Sequence, residues 1–300
     1  MTVSSSALRL LVGFSPGSAS HNVAQAIVPG LAAHLGRSVE LELHPGDSGK
    51  IAARMVAAAK PDGNTLLVAT LGTHALVPAI DPDCGYHPLN DFTPISLLLK
   101  APLILGVPSS AGIRSVAALI EAAGTADPPL VYGSSAIGGA PHLAAELFAR
   151  RAGVTLHHAR YNDTRQLYAS LVAGRIGLSF NNVMSMLSLI KEGHLVPLGT
   201  TGSHPHPALP YVQPIASAGL SDYEVTNWIG IVGPARMSST AVAEIGNGLA
   251  AAVRDVSAAN SMPDAVSGSG HEFAALIRKE CQRWTPIVRE LARGGRHEQC

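Results

Sequence analysis

The sequence predicts an α/β fold, with mostly parallel sheets flanked by helices, from three observations. Apolar runs of strand length alternate with longer amphipathic runs between residues 8 and 291, which is the pattern of repeated βα units. Gly, Pro, Asp and Asn punctuate the runs, as in Pro61-Asp62-Gly63-Asn64, where such residues favour turns. The 300 residues are 47% apolar and only 14% charged, enough for one large domain or two lobes and unlike a disordered chain.

The chain is organised around residues 8–31. Residues 8–12 are an apolar strand, and 13–20 are a loop of small residues with one proline. From Ala19 the spacing of Val23, Ala24, Ile27 and Leu31 is helical, with Ser18 or Ser20 as N-cap. A strand, a Gly/Ser loop and a helix N-terminus together aim amide N–H groups at one point. That geometry can hold an anion without Lys or Arg; an ordinary strand–helix connection is the plainer alternative.

Further strands are expected at 39–43, 65–69, 92–99, 103–107, 130–133, 155–159, 176–180, 196–200 and 225–232. Helices are expected at 48–59, 116–123, 141–152, 165–173, 184–192, 239–253 and 272–291. Prolines near Pro102 and Pro234 suit crossings between two lobes.

Composition excludes several classes. Lys+Arg and Asp+Glu are 21 each, so no net field draws nucleic acid or an anionic membrane. Aromatics are 4%, too few for base-stacking platforms. The longest apolar stretch, 95–107, is interrupted by Lys100 and is shorter than the ~20 residues of a membrane span. The N-terminus has neither a basic nor an apolar signal region, which fits a cytosolic chain or one whose signal has been removed. Cys84, Cys281 and Cys300 lack CxxC spacing, so no zinc site is indicated and a Cys84–Cys281 bridge is left open.

Ligands in such sheets bind at the carboxyl ends of strands. Four segments there share one chemistry: 15–21, 70–74, 134–142 and Asn181-Asn182. They offer hydroxyls, amides and small-residue backbone, but no paired carboxylates and no Ser/His/Asp set, which suits anion binding better than catalysis. Gly13-Phe14-Ser15-Pro16-Gly17 fits the G-x-S-x-G elbow of hydrolases. In that elbow the residue after serine donates its N–H, and Pro16 has none.

Other features weigh less. His204-Pro205-His206 reads as a surface turn rather than a metal site. His157 and His158 point to opposite strand faces. His142 and Glu146 share a helix face, where they would pair or cap. Gly138-Gly139 lacks the Lys-Ser/Thr of a phosphate loop.

The loops carry a resemblance that runs in order from about Leu8 to Trp284. Gly13-Phe14-Ser15-Pro16-Gly17 stands for P-F-x-P-G, and Pro45-Gly46-Asp47-Ser48-Gly49 for P-G-A-G-G. Pro61-Asp62-Gly63-Asn64-Thr65-Leu66-Leu67 and Gly72-Thr73-His74-Ala75 follow. His142-Leu143-Ala144-Ala145-Glu146-Leu147-Phe148, Tyr161 to Thr164, Phe180-Asn181-Asn182 and Asn227-Trp228-Ile229-Gly230 complete the set. The chain resembles the Bug-type solute receptors, the substrate-binding proteins of tripartite tricarboxylate transporters.

The resemblance implies a two-lobed type II periplasmic-binding-protein fold. Residues 1–100 with 226–300 would form one lobe and 101–225 the other, with the ligand cleft between them. It implies an extracytoplasmic receptor, monomeric and free of cofactor or metal, that closes on a small carboxylate such as a di- or tricarboxylate or an aromatic acid. Two integral membrane subunits, or a sensor, would read the closed shape. The implied ligand-binding residues are Phe14, Ser18, Ser20, His21, Gly72, Thr73 and His74 on one side. On the other they are Ser134, Ser135, Ile137, Gly138, Gly139, His142, Tyr161, Thr164, Asn181 and Asn182. A ligand-handling enzyme on the same fold, and a hydrolase using Ser15, are the alternatives.

The chain departs from the family pattern in places. His21 replaces an Asp, Gln25 an Arg, Arg160 a Pro and Asp163 a Gly, and Asp47-Ser48 replaces Ala-Gly. Losing an acid while gaining His21 and Arg160 favours a more anionic ligand, a dicarboxylate or an aromatic acid. The plain alternatives are a solvated Arg160 and a neutral, helix-capping His21.

Overall fold

The computed structural model describes residues 7–294 except 136, 162, 260, 261 and 263. It divides into two compact units: one takes the chain up to Lys100 and again from Trp228, the other Ala101–Asn227.

In the first unit, β1 (Leu8–Val12) leads through the expected loop into α1 (Ala19–Leu35) and then β2 (Val39–Leu43). A 3₁₀ turn at Asp47–Gly49 precedes α2 (Lys50–Ala57), followed by β3 (Thr65–Thr70), a π turn at Gly72–Leu76 and α3 (Val77–Ile80). β4 (Phe92–Pro108) carries the chain into the second unit. There α4 (Val116–Thr125), β5 (Leu130–Ser134), α5 (Ala140–Ala152), β6 (Leu156–Arg160) and α6 (Thr164–Val172) follow. β7 (Leu178–Asn182), α7 (Val183–Lys191) and β8 (Leu195–Thr200) complete it. β9 (Thr226–Pro234) returns to the first unit, which ends with α8 (Ser239–Ala258), β10 (Ala265–Ser269) and α9 (Gly270–Gly294).

The sheets are mixed rather than mostly parallel. In the first unit β2, β1 and β3 are parallel, with Leu8 opposite Val39 and Leu10 opposite Leu66, while β9 is antiparallel to β3 and β10 to β4. In the second, β6, β5 and β7 are parallel, and β4 is antiparallel to both β7 and β8. The helical crossovers impose parallel pairing on consecutive βα units. The strands in which the chain changes unit are not joined by such crossovers.

Leu8, Leu10, Leu11, Val12, Leu66 and Leu67 are fully buried, as strands covered on both faces are. Trp228 meets Phe273 edge-on at 5.4 Å. In the second unit the core gathers Ile104, Leu167, Leu171, Ile176, Val183 and Met186.

Three expectations change. β4 is one strand where two were expected: the pairing with β10 stops at Leu99 and that with β7 starts at Leu103, on either side of Pro102. The helix expected at 48–59 starts only at Lys50, because Asp47, Ser48 and Gly49 have φ of 48°, 55° and 88°, outside the helical region. Residues 72–76 form a π turn and not an open loop. β10, Ala-Val-Ser-Gly-Ser, has no apolar run that would announce it.

Candidate functional site

In the first unit three segments meet at the ends of β1 and β3. A Cβ on Gly13 would lie 2.8 Å from the Gly49 Cα, and one on Gly49 would lie 2.7 Å from the Thr73 Cγ2 and 3.2 Å from the Phe14 ring. Glycine at both positions is what lets the loop after β1, the loop after β2 and the turn after β3 touch backbone to side chain.

The α1 N-terminus is built as its sequence suggests. Ser18 is the N-cap, its Oγ accepting from the His21 N–H at 3.3 Å and lying 3.3 Å from Ser20 Oγ. The Gly17 N–H donates to His21 Nδ1 at 3.1 Å. His21 thus closes a local turn with Gly17 at the start of α1. The first-turn amides of Ala19 and Ser20 have no intrahelical acceptor.

Gly72, Thr73 and His74 turn inward. Thr73 Oγ1 accepts from the Thr70 N–H at 3.0 Å and lies 3.0 Å from His74 Nδ1. His74 is fully buried, packed 4.7 Å from the Phe92 ring, and burial pulls its pKa down to about 3. Tyr86 donates to the Thr73 carbonyl at 2.6 Å. These residues lie under the loops and support them. Asp47, on the second loop, is held by an ion pair: Lys50 bridges it to Asp81, both at 2.8 Å.

In the second unit the serine loop runs from Ser134 into α5. Ser134 is buried, Ser135 and Ile137 are exposed, and Gly138 turns at a φ of 73°. α5 starts with Gly139 as N-cap and no side-chain cap, and Pro141 in its first turn has no N–H, so its first-turn donors are the amides of Ala140 and His142, which have no intrahelical acceptor. Asn181 donates to Ser179 Oγ at 2.8 Å, which donates to the Gly133 carbonyl at 2.8 Å; Asn182 accepts from Asn227 at 3.1 Å. The Tyr161 N–H donates to the Ser134 carbonyl at 3.0 Å. Thr164 opens α6, whose cap is Asp163.

Behind this loop lies a cluster that sequence reading did not assemble. Tyr132 donates to Glu146. His158 stacks on Tyr132 at 4.8 Å and meets His142 edge-on at 4.7 Å, and its Nε2 is 2.8 Å from Ser134 Oγ. Burial lowers both imidazoles to about 4, the neighbouring His142 adding to the effect on His158. His142 and Glu146 both meet Tyr132, His142 with its ring at 6.1 Å and Glu146 as the acceptor of the phenol hydroxyl. The signal was the parallel register, which puts Tyr132 opposite His158 and Ser134 opposite Arg160; no local motif encodes it.

The remaining candidates resolve plainly. Ser15 Oγ has no His partner among the described residues. Cys84 and Cys281 are free thiols, donating to the carbonyls of Tyr86 and His74; Cys300 lies outside the described residues. His206 Nδ1 accepts from the Ala208 N–H, as in a turn. Among the described residues no group of His, Cys, Asp and Glu could hold a metal, and no helix is long and apolar enough to cross a membrane.

Comparison with known proteins fits this geometry. Residues 23–293 match the model of the tripartite tricarboxylate transporter family receptor. A protein in the tcbD–tcbE intergenic region of a Pseudomonas species is 31% identical over 290 residues, covering 93% of this chain and 84% of the relative. MatC of Rhodopseudomonas palustris, solved with bound malate, superposes with a TM-score of 0.85 at 25% identity, covering 94% of this chain and 98% of MatC. A second R. palustris protein, solved with adipate, gives a TM-score of 0.85 at 30% identity over 95% of this chain and 96% of its own. The family model is that of a transporter receptor, and the two solved relatives hold malate and adipate.

Proposed function

Because the chain belongs to the tripartite tricarboxylate transporter receptor family, we propose that it is an extracytoplasmic receptor whose two units close on a small carboxylate. The observation that carries this reading is the α5 N-terminus. It lacks a side-chain cap, follows a left-handed Gly138 and is flanked by Ser135 and Ile137. Such an end binds a carboxylate through amides and the helix dipole. The loop at the α1 N-terminus, where the amides of Ala19 and Ser20 have no intrahelical acceptor, is a second donor set of the same kind.

Binding and closure are then the whole mechanism. A ligand that contacts donors of both units favours the closed population by its differential affinity for it. The membrane subunits of a transporter, or a sensor, recognise that state. The relatives solved with malate and adipate support a carboxylate as the cargo class.

The test is direct. Purified protein is incubated with a set of mono-, di- and tricarboxylates and aromatic acids, and melting temperature, calorimetric heat and small-angle scattering are recorded. At least one acid should raise the melting temperature, reduce the radius of gyration and be recovered unchanged by mass spectrometry. An acid recovered chemically altered, or no response across the set, would overturn the reading. Fractionation of cells carrying the native gene checks the periplasmic location.

A further inference from the structure

The receptor reading leaves Arg160 unexplained. β5 and β6 pair in parallel with Ser134 opposite Arg160. Side chains two residues apart on a strand share a face, so Tyr132, Ser134, His158 and Arg160 belong to one side. The contacts of His158 with Tyr132 and with His142 of α5 show that α5 covers that side. Arg160 therefore ends its strand next to the residue that opens the serine loop, on the side where α5 begins.

Among the described residues Arg160 has no acidic partner and no side-chain hydrogen bond, and it is exposed. The nearby Arg165 is different, with Asp163 at 3.7 Å. The loops that lead from β5 into α5 and from β6 into α6 carry no Lys or Arg, and β7 runs directly into α7. One carboxylate needs no cation here, because the α5 amides already serve it. A free guanidinium beside such a site suits a second negative charge, and its planar fork matches a carboxylate. Ile137, 47% exposed on the same loop, offers the body of the ligand an apolar surface instead of hydroxyl-binding groups.

We propose that Arg160 is a specificity-determining residue that anchors the second carboxylate of a dicarboxylate with an apolar spacer, the first being held at the α5 N-terminus. The inference rests on the receptor reading and narrows its ligand class.

Matched acids with and without the second carboxylate test it: succinate with butyrate, adipate with hexanoate, terephthalate with benzoate. Calorimetry on the parent should show at least one diacid binding about tenfold or more tighter than its monoacid, the scale of one charge-assisted pair. Arg160→Gln should abolish that preference, weakening the diacid about 10- to 100-fold while changing the monoacid by less than about threefold. Arg160→Lys, which keeps the charge without the fork, should fall between. Melting curves of both variants should match the parent. Equal binding of diacid and monoacid by the parent, or an unchanged diacid affinity in Arg160→Gln, overturns the proposal while leaving the receptor reading standing. If none of the six acids binds, the proposal falls; the receptor reading falls with it only if the wider acid set also gives no response.

Discussion

His158 Nε2 lies 2.8 Å from Ser134 Oγ, tying the residue that opens the serine loop to a pair of imidazoles held neutral by burial. The arrangement has a pH consequence. Both rings titrate near 4 in the native protein and near 6.5 when unfolded. Above about pH 6.5 neither state is protonated there, so their contribution to stability is flat. Between 6.5 and 4 the unfolded chain binds protons that the native one refuses, and stability falls as pH falls; below 4 these two add nothing further. His74, lowered to about 3, extends the loss by about a unit. Glu146 and Arg160 both act on His158, in opposite directions. Melting temperatures taken from pH 7.5 to 4 should drop most steeply within that window. His158→Phe keeps the stack on Tyr132 and should flatten the curve there; an unchanged slope would refute the assignment.

Tyr132 is buried and donates to Glu146. Tyr132→Phe conserves the ring but leaves the carboxylate without this donor. Losing one partner of a part-buried, charge-assisted bond costs about 1–3 kcal/mol. Urea denaturation should show that loss with an unchanged m-value. A variant as stable as the parent would mean that Glu146 finds another donor.

Ligand affinity should depend on the serine loop and not on Ser15. Ser135→Ala removes an exposed hydroxyl donor beside the α5 amides and should weaken carboxylate binding about 10- to 100-fold, the range for a charge-assisted bond. Gly138→Val puts a branched side chain at a φ of 73°, displacing the loop and lowering affinity further. Ser15→Ala should stay within a few-fold of the parent. The opposite order in calorimetry would put the site elsewhere.

Much of the fold was legible because local signals agree with tertiary ones. The Ser18 cap, the periodic apolar face of α1 and the Pro61-Asp62-Gly63-Asn64 turn each announce their structure within a few residues. The order of loop motifs then identified the family. What stayed hidden depends on residues far apart in sequence. The Tyr132–His158–His142 cluster exists only through the β5–β6 register, and β4 reads as two strands because Pro102 interrupts its pattern. His74 looks like a polar loop residue until the π turn after β3 is known to carry it into the core. His21 shows the converse: its Nδ1 bond to the Gly17 N–H is local, yet one sequence admits both a capping and a ligand-facing histidine.

The last prediction concerns the junction of Gly13, Gly49, Phe14 and Thr73. Gly49 has a φ of 88°, and a Cβ there would lie 2.7 Å from Thr73 Cγ2 and 3.2 Å from the Phe14 ring. Gly49→Ala therefore carries two costs, about 1–2 kcal/mol for the left-handed backbone and a steric displacement of Phe14 or Thr73. Gly36→Ala separates them. Gly36 caps α1 with a φ of 62° and nothing within 4 Å of an added Cβ, so it incurs only the backbone cost. Both variants should lose stability in urea, Gly49→Ala more. Only Gly49→Ala should also weaken carboxylate binding, because Phe14 and the amides of the α1 N-terminus belong to the loop it disturbs. If Gly36→Ala reduces affinity as much as Gly49→Ala, global destabilisation is the cause and the junction has no special part in holding the first loop. If affinity falls in Gly49→Ala alone, the contact between the three loops sets the geometry with which the first unit meets its ligand.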